Sequence, residues 1–253
     1  MSYDLAYDRI RALTSGCAKH PAVANRFFTL WMAGPLPVEQ VELVAQNFYA
    51  RVCHTPDRLA LAFLAMTGDT RARAEIVRNL ADEAGHGGGA GAHSVLLRSF
   101  WESLLSRLHS YPVDFDQVDA PVLRTTEHLV KEGEKLFSSP YPQEVCGALL
   151  AQEWHAYPQL VFLYEGARNY RHLFELEEFH EVCEYFYLHI GGTEKRHLQL
   201  ALSTAARTCR TTADLDHLER GFNRYLDLLA DNWAELHDTI AGAASNPDST
   251  PAD

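Results

Sequence analysis

Glu83, His86 and His93 fall within eleven residues of this 253-residue chain, and His189, Glu194 and His197 fall within nine. Between the two groups, Glu153 lies in the apolar stripe of a helical segment. A carboxylate in a core-facing stripe must be neutralised, paired or bound to a metal. Oxygen and nitrogen donors without thiolates suit iron or manganese, and helical bundles can hold two such ions with carboxylate–histidine sets. These residue types point to di-metal oxidase chemistry.

The spacing within each group bears on whether the donors can converge. In VCGALLAQEWHAYPQLVFL, apolar residues recur at Cys146, Leu149, Ala156, Leu160 and Leu163. Steps of three and four place Glu153 on their face, where a salt bridge to a buried arginine or a place at the core rim is the plainer alternative to ligation. In EYFYLHIGGTEKRHLQLAL, a regular helix sets His189 and His197 about 80° apart, but Glu194 about 140° from His189. A π-bulge at Gly191-Gly192 would bring all three to one face; otherwise Glu194 pairs with Lys195 or another basic neighbour. In NLADEAGHGGGAGAHSVLL, His86 and His93 lie about 20° off a common face if the helix continues, with Glu83 on that face. The run Gly87-Gly88-Gly89 leaves a flexible turn with exposed histidines as the alternative. The preferred reading is a weak metal-binding helix that orders on loading.

The elements that must position these groups are helical almost throughout. Periodicity predicts about eight helices: 3–17, 21–33, 38–66, 70–85 continuing to about 108, 119–138, 142–167, 174–207 and 212–241. Pro37 suits a first-turn position and Asp69 an N-cap, while Pro56 and Pro158 should kink or divide their helices. The residues ASNPDSTPAD at 244–253 read as a disordered tail, leaving one all-α domain over 1–243.

Bulk properties exclude several classes. A net charge of −12, with no basic run, argues against a nucleic-acid partner. No apolar stretch reaches the roughly 18 residues of a membrane span, and the N-terminus lacks the features of a signal peptide. Five scattered cysteines without CxxC fit free, mostly buried thiols, and the expected location is cytoplasmic. No nucleophile elbow or dinucleotide fingerprint occurs.

The chain resembles the haem-oxygenase-like diiron oxidases over most of residues 20–205. The resemblance is carried by HPAVANRFF, PVEQVELVAQNFYARV, NLADEAGHGGGAGAHSVLL, the acid of ALLAQEWHAY, and HIGGTEKRH. It implies an all-α, haem-oxygenase-like bundle of seven to eight helices that binds two Fe(II) ions and uses O₂ as co-substrate. The family pattern is an acid and a His on one helix, a Glu on the next, then His-x3-Asp-x2-His. By that pattern His93, Glu153, His189, Glu194 and His197 match as ligands. The acid of the first helix is either Glu83 or, at the spacing of other members, the position held by His86. The chain departs from the pattern in its His-x4-Glu-x2-His motif and in having a His at that position. Family members oxidise small molecules, often free amino acids or fatty acids, by desaturation, C–C cleavage or N-oxygenation. The chain also resembles the branch that converts an aliphatic L-amino acid to an azetidine amino acid, as in polyoxin-type biosynthesis.

These features lead to a set of expectations. The substrate is a free aliphatic amino acid of the isoleucine or valine type, desaturated and then cyclised, in a pocket lined by the apolar stripes around Leu149, Leu163 and Phe186. An external electron donor and a homodimer are compatible partners; nucleic acid and membrane are not. Arg51, Arg58 and Arg168 are candidates to anchor a carboxylate, against a solvated surface role for each. The rivals are the same fold with N-oxygenation, C–C cleavage or alkene-forming decarboxylation, a metal-free thiaminase relative needing a pocket cysteine, and a non-enzymatic metal-storage or interaction protein.

Overall fold

A computed structural model describes residues 1–191 and 193–244; positions 87, 193–197, 200 and 244 are described by their backbone alone. Twelve α-helices occur among the described residues, and no strand. They are α1 (Tyr3–Ser15), α2 (Arg26–Ala33), α3 (Val38–Val52), α4 (Thr55–Ala65), α5 (Thr70–Glu83), α6 (His93–His109), α7 (Arg124–Phe137), α8 (Pro142–Ala167), α9 (Leu176–Val182), α10 (Glu184–Ile190), α11 (Thr193–Thr208) and α12 (Thr212–Ala244). The all-α expectation holds. Residues 245–253, most of the expected tail, lie outside the described residues. No described helix is long and apolar enough to cross a membrane.

Local chemistry accounts for several boundaries. Asp69 caps α5, its side chain accepting from the amides of Arg71 and Ala72. Pro37 is the N-cap of α3, one position before the first turn. The predicted 38–66 helix divides at Cys53 and His54, and Pro56 opens α4. Pro158, by contrast, lies within an undivided α8. Two long predicted helices are broken further. Segment 174–207 becomes α9, α10 and α11, and 70–108 becomes α5, a tight turn and α6.

Helix α8 is the axis of the molecule, packing on α12 over most of its length and also on α11, α2 and α10. Every residue from Val145 to Glu153 is buried, as expected of a helix surrounded by others. Its approach to α12 is set by glycines. A Cβ on Gly147 would lie 2.0 Å from the Leu218 carbonyl oxygen, and one on Gly221 would lie 2.0 Å from that of Glu144. The apolar core forms two clusters. One gathers Cys146 to Ala151 of α8 with residues of α1, α4, α5, α7, α11 and the first half of α12. The other gathers Leu160, Leu163 and Ala167 with α2, α3, α6, α10 and Trp233. The polar stretch Gln152 to Gln159 of α8 falls between them, and there the chain holds its chemistry.

Candidate metal centre

Three of the singled-out side chains converge from helix ends. Glu83 is the last residue of α5, His93 the first of α6, and His189 the penultimate residue of α10. One donor atom from each lies within 4.8 Å of the others. Glu83 Oε1 is 3.2 Å from His93 Nδ1, and the His93 and His189 ring centroids are 4.3 Å apart. The turn that joins α5 to α6 makes this meeting possible. Gly85 has φ +69°, and a Cβ there would fall 2.4 Å from the backbone of Gly91. Only glycine allows the chain to fold back so tightly at this point.

The donor chemistry suits a cation. His189 Nδ1 lies 2.7 Å from the Tyr185 carbonyl oxygen. A carbonyl can only accept, so Nδ1 carries a proton, and in the neutral ring Nε2 would be the nitrogen left to bind a metal. This backbone contact is the kind that orients a metal-binding imidazole. His93 Nδ1 is buried without a hydrogen bond, since its approach to Glu83 lacks the required geometry. The carboxylate beside it is therefore a poorly aligned partner, and a metal between the two would take the nitrogen's lone pair and the carboxylate oxygen together. Burial pushes the Glu83 carboxyl up, but the contact with His93 and the charges of His93, His189 and Arg58 outweigh it and hold the group below its usual value. Glu83 is therefore ionised and ready to bind a cation.

Glu153 lines the same cavity and is 8 % exposed. Burial pushes its carboxyl up to about 7; the hydrogen bond from Asn79 Nδ2 to Oε1 (2.9 Å) opposes the rise and the charge of Glu83 adds to it. Two carboxylates facing one small space resist ionising together without a counter-cation. The four residues fit a metal by donor type, burial and charge.

The remaining candidates are placed differently. His86 does not join the cluster. Its φ is +51°, its side chain is 76 % exposed, and it pairs with Asp82 at 2.8 Å. The seven-residue spacing that would align it with His93 holds only in a continuous helix, and the glycine turn ends that helix at Glu83. The helix of His189 does not continue through Gly191, and Gly192, the other half of the expected bulge, lies outside the described residues. Helix α10 stops at Ile190, and Gly191 is extended with ψ −177°. The side chains of Glu194 and His197 lie outside the described residues.

Sequence reasoning offered Arg51 and Arg58 as carboxylate anchors or surface residues, and passed over the other polar groups of the cavity wall. Arg51 and Arg58 are not surface residues: they are 4 % and 6 % exposed and line the cavity with the metal candidates. Arg168, the third arginine, is exposed and paired with Glu165. Gln152, His155 and Gln159 of α8 also face inward. Their spacing of three and four was the available signal, because polar residues at helical intervals in a buried helix mark a polar face. His155, two residues beyond Glu153, is buried and lines the same cavity. Its Nδ1 donates to the Ala151 carbonyl, and burial pulls its pKa down to about 3, keeping it neutral. The expected apolar lining is also revised. Leu149 borders an adjoining apolar cavity that shares Asn79 and Glu153, while Leu163 and Phe186 are packed in the core.

The cysteines offer no nucleophile here. All five are free, four are buried, and none lines this cavity. Cys146 borders the adjoining one, but burial pushes its thiol up to about 12. A thiolate is the reactive form, so this disfavours a thiaminase-type nucleophile.

Comparison with known proteins agrees with the site. No curated protein matches the chain. The crystal structure of a CADD-like protein of unknown function from Nostoc punctiforme PCC 73102 has a TM-score of 0.73 and 16 % identity, covering 98 % of this chain and 100 % of that one. A domain of unknown function with a haem-oxygenase-like fold from Shewanella denitrificans OS217 has a TM-score of 0.67 and 13 % identity, covering 100 % and 99 %. A TenA homologue from Pseudomonas syringae pv. tomato DC3000 has a TM-score of 0.71 and 13 % identity, covering 90 % and 92 %. At these identities the likeness is one of fold, that of a haem-oxygenase-like helical bundle. A family model described as iron-containing redox enzyme matches residues 42–230, which include Glu83, His93, Glu153 and His189. With most of its length inside that match, the chain belongs to the family of iron-containing redox enzymes.

Proposed function

We propose that the protein is an O₂-dependent, non-haem diiron oxidase acting on an unactivated C–H bond of a small aliphatic L-amino acid. The observation that carries this reading is the meeting of Glu83, His93 and His189 within 4.8 Å, beside Glu153, in a buried cavity. Glu83, His93, Glu153 and His189 would hold iron, with Glu194 and His197 completing a two-ion set by family resemblance. Iron bound there supplies a site for O₂ reduction and hydrogen removal.

The protein's own residues do the rest. Tyr185 holds His189 through its backbone carbonyl, and Asn79 orients Glu153. Near neutral pH the Glu153 carboxyl is partly protonated, and a bound cation would displace that proton. Val52, Ala156 and Leu160 line the cavity, so an aliphatic side chain has apolar surface to rest on. The cavity encloses about 70 Å³ and adjoins a second, mainly apolar one through Asn79 and Glu153. Desaturation removes two hydrogens and two electrons from the substrate. Reducing O₂ to two waters takes two further electrons from an external donor and two protons from solvent. Isoleucine or valine would give an alkene, and addition of an amine N–H across that double bond, nitrogen to Cγ and hydrogen to Cβ, would close an azetidine with no further oxidant.

Anaerobic loading with Fe(II), followed by single-turnover O₂ uptake and mass spectrometry of free amino acids, tests the reading. About two irons per chain and a 2-Da loss from an aliphatic amino acid are expected. Full activity with one metal, tight zinc in the active protein, or a 2-Da loss confined to fatty acids would overturn it.

A further inference from the structure

The cavity that holds the metal candidates also carries two guanidinium groups whose hydrogen-bond partners are neutral amides and other neutral groups, not acids. Arg51 donates from Nη2 to Gln159 Oε1 at 2.8 Å and lies over the rings of Phe48 and Trp233 at 4.7 and 4.6 Å. Its Nε is buried without a hydrogen-bond partner. Arg58 donates from Nε to Gln152 Oε1 at 2.8 Å and from both terminal nitrogens to the Arg51 carbonyl oxygen. Neither arginine forms an ion pair among the described residues. A buried cation normally has a carboxylate beside it, and two buried close together are costlier still. Burial and the charge of Arg58 pull the Arg51 guanidinium down to about 10, so it stays charged at neutral pH.

Both acceptors are neutral amides on α8, seven residues apart. A glutamate at either position would pair the guanidinium directly, whereas the glutamine holds it in place without forming an ion pair. Metal loading sharpens the imbalance. Glu83 and Glu153 are the acids known to line the cavity, and a cation bound to them adds positive charge to a space that already holds two arginines.

We propose that Arg51 and Arg58, positioned by Gln159 and Gln152, form a carboxylate-receiving subsite that orients the substrate by its anionic end. The inference rests on the oxidase reading of the cavity and adds what that reading lacks, the residues that select the substrate's charge. An α-amino acid and a simple carboxylic acid share this chemistry. Gln152 and Gln159 act as positioning residues through the arginines.

Calorimetric titration of the full-length protein, with and without Mn(II), tests this with four probes: L-valine, L-valinamide, isobutyrate and isobutyramide. At least one carboxylate should bind about tenfold or more tightly than its amide. Gln159→Glu should weaken that carboxylate by about 10- to 100-fold, the loss expected when a charge-assisted contact is cancelled, and should leave amide binding unchanged. Arg51→Gln should act alike; if it fails to fold, the near-isosteric Gln159→Glu decides. A preference for valine over isobutyrate would identify amino acids as the source, and equal binding would identify carboxylic acids in general. Equal binding of acid and amide, or a Gln159→Glu protein with undiminished carboxylate affinity, would overturn the proposal. Mn(II) electron paramagnetic resonance separates the two readings. Metal bound without carboxylate selectivity rejects only the subsite, and selectivity without metal binding rejects only the oxidase.

Discussion

The two walls of the cavity are built in opposite ways. The metal wall is assembled from helix ends: Glu83 closes α5, His93 opens α6 and His189 sits next to the end of α10, each beside a glycine-containing break. The arginine wall is anchored in a helix interior. Gln152 and Gln159 lie well inside α8; Arg51, near the end of α3, and Arg58, in the first turns of α4, are tied to them, and Arg51 also lies over Phe48 and Trp233. Groups on helix ends depend on turn geometry and few backbone bonds, so they can adjust as a ligand arrives. Side chains tied to a packed helix interior, as Arg51 and Arg58 are to α8, are held before it does. The contrast suggests a site whose substrate end is preformed and whose metal end tightens on loading.

The largest expected effect breaks the metal wall at its donors. His189→Ala and Glu153→Ala should each lower turnover by at least about 100-fold, while helical circular dichroism stays nearly intact. Iron retention and activity in Glu153→Ala would make Glu153 a structural rim acid.

Gly85→Ala attacks the same wall through its turn. An L-residue at φ +69°, pressed against the backbone of Gly91, should cost about 1–3 kcal/mol. Iron occupancy should fall while carboxylate affinity at the arginine wall persists. Equal loss at both walls in calorimetry would refute the contrast.

Acid–base behaviour distinguishes the walls more subtly. In metal-free protein Glu153 titrates at about 7, against an ordinary value of 4.5. Between those values the folded chain binds more protons than the unfolded chain, so this group makes stability fall as pH rises from 4.5 to about 7. His155 acts oppositely, because its folded value is about 3 against 6.5, and its contribution is lost as pH falls through that window. Glu153→Gln should stabilise metal-free protein at about pH 8 by on the order of 1–3 kcal/mol. His155→Gln should flatten the acid limb. Denaturant midpoints across pH check both slopes.

The smallest effect concerns His86. His86→Asn keeps a residue tolerant of its left-handed backbone and removes only the pair with Asp82. Iron stoichiometry and turnover should stay within about twofold, as expected for an exposed surface position. Loss of an iron would restore His86 as a ligand and require the turn to rearrange.

The amino-acid sequence determined that the chain is helical, because apolar residues recur at intervals of three and four and because Asp69 and Pro56 mark breaks by local chemistry. It also determined that Glu153 must be compensated, since no acid sits in the buried stripe of α8 without a partner. Tertiary structure decided which histidines matter. Spacing alone cannot tell a continuous helix from one that ends in a left-handed glycine turn, and that difference sends His86 to solvent and His93 to the cavity. It also decided the place of the two arginines. Arg51 and Arg58 lie on separate helices, α3 and α4, and are buried only because Gln152 and Gln159 arrive from α8, about 100 residues further along the chain. A pattern within one helix carries its own period and can be read directly, but the meeting of distant helices depends on how they pack.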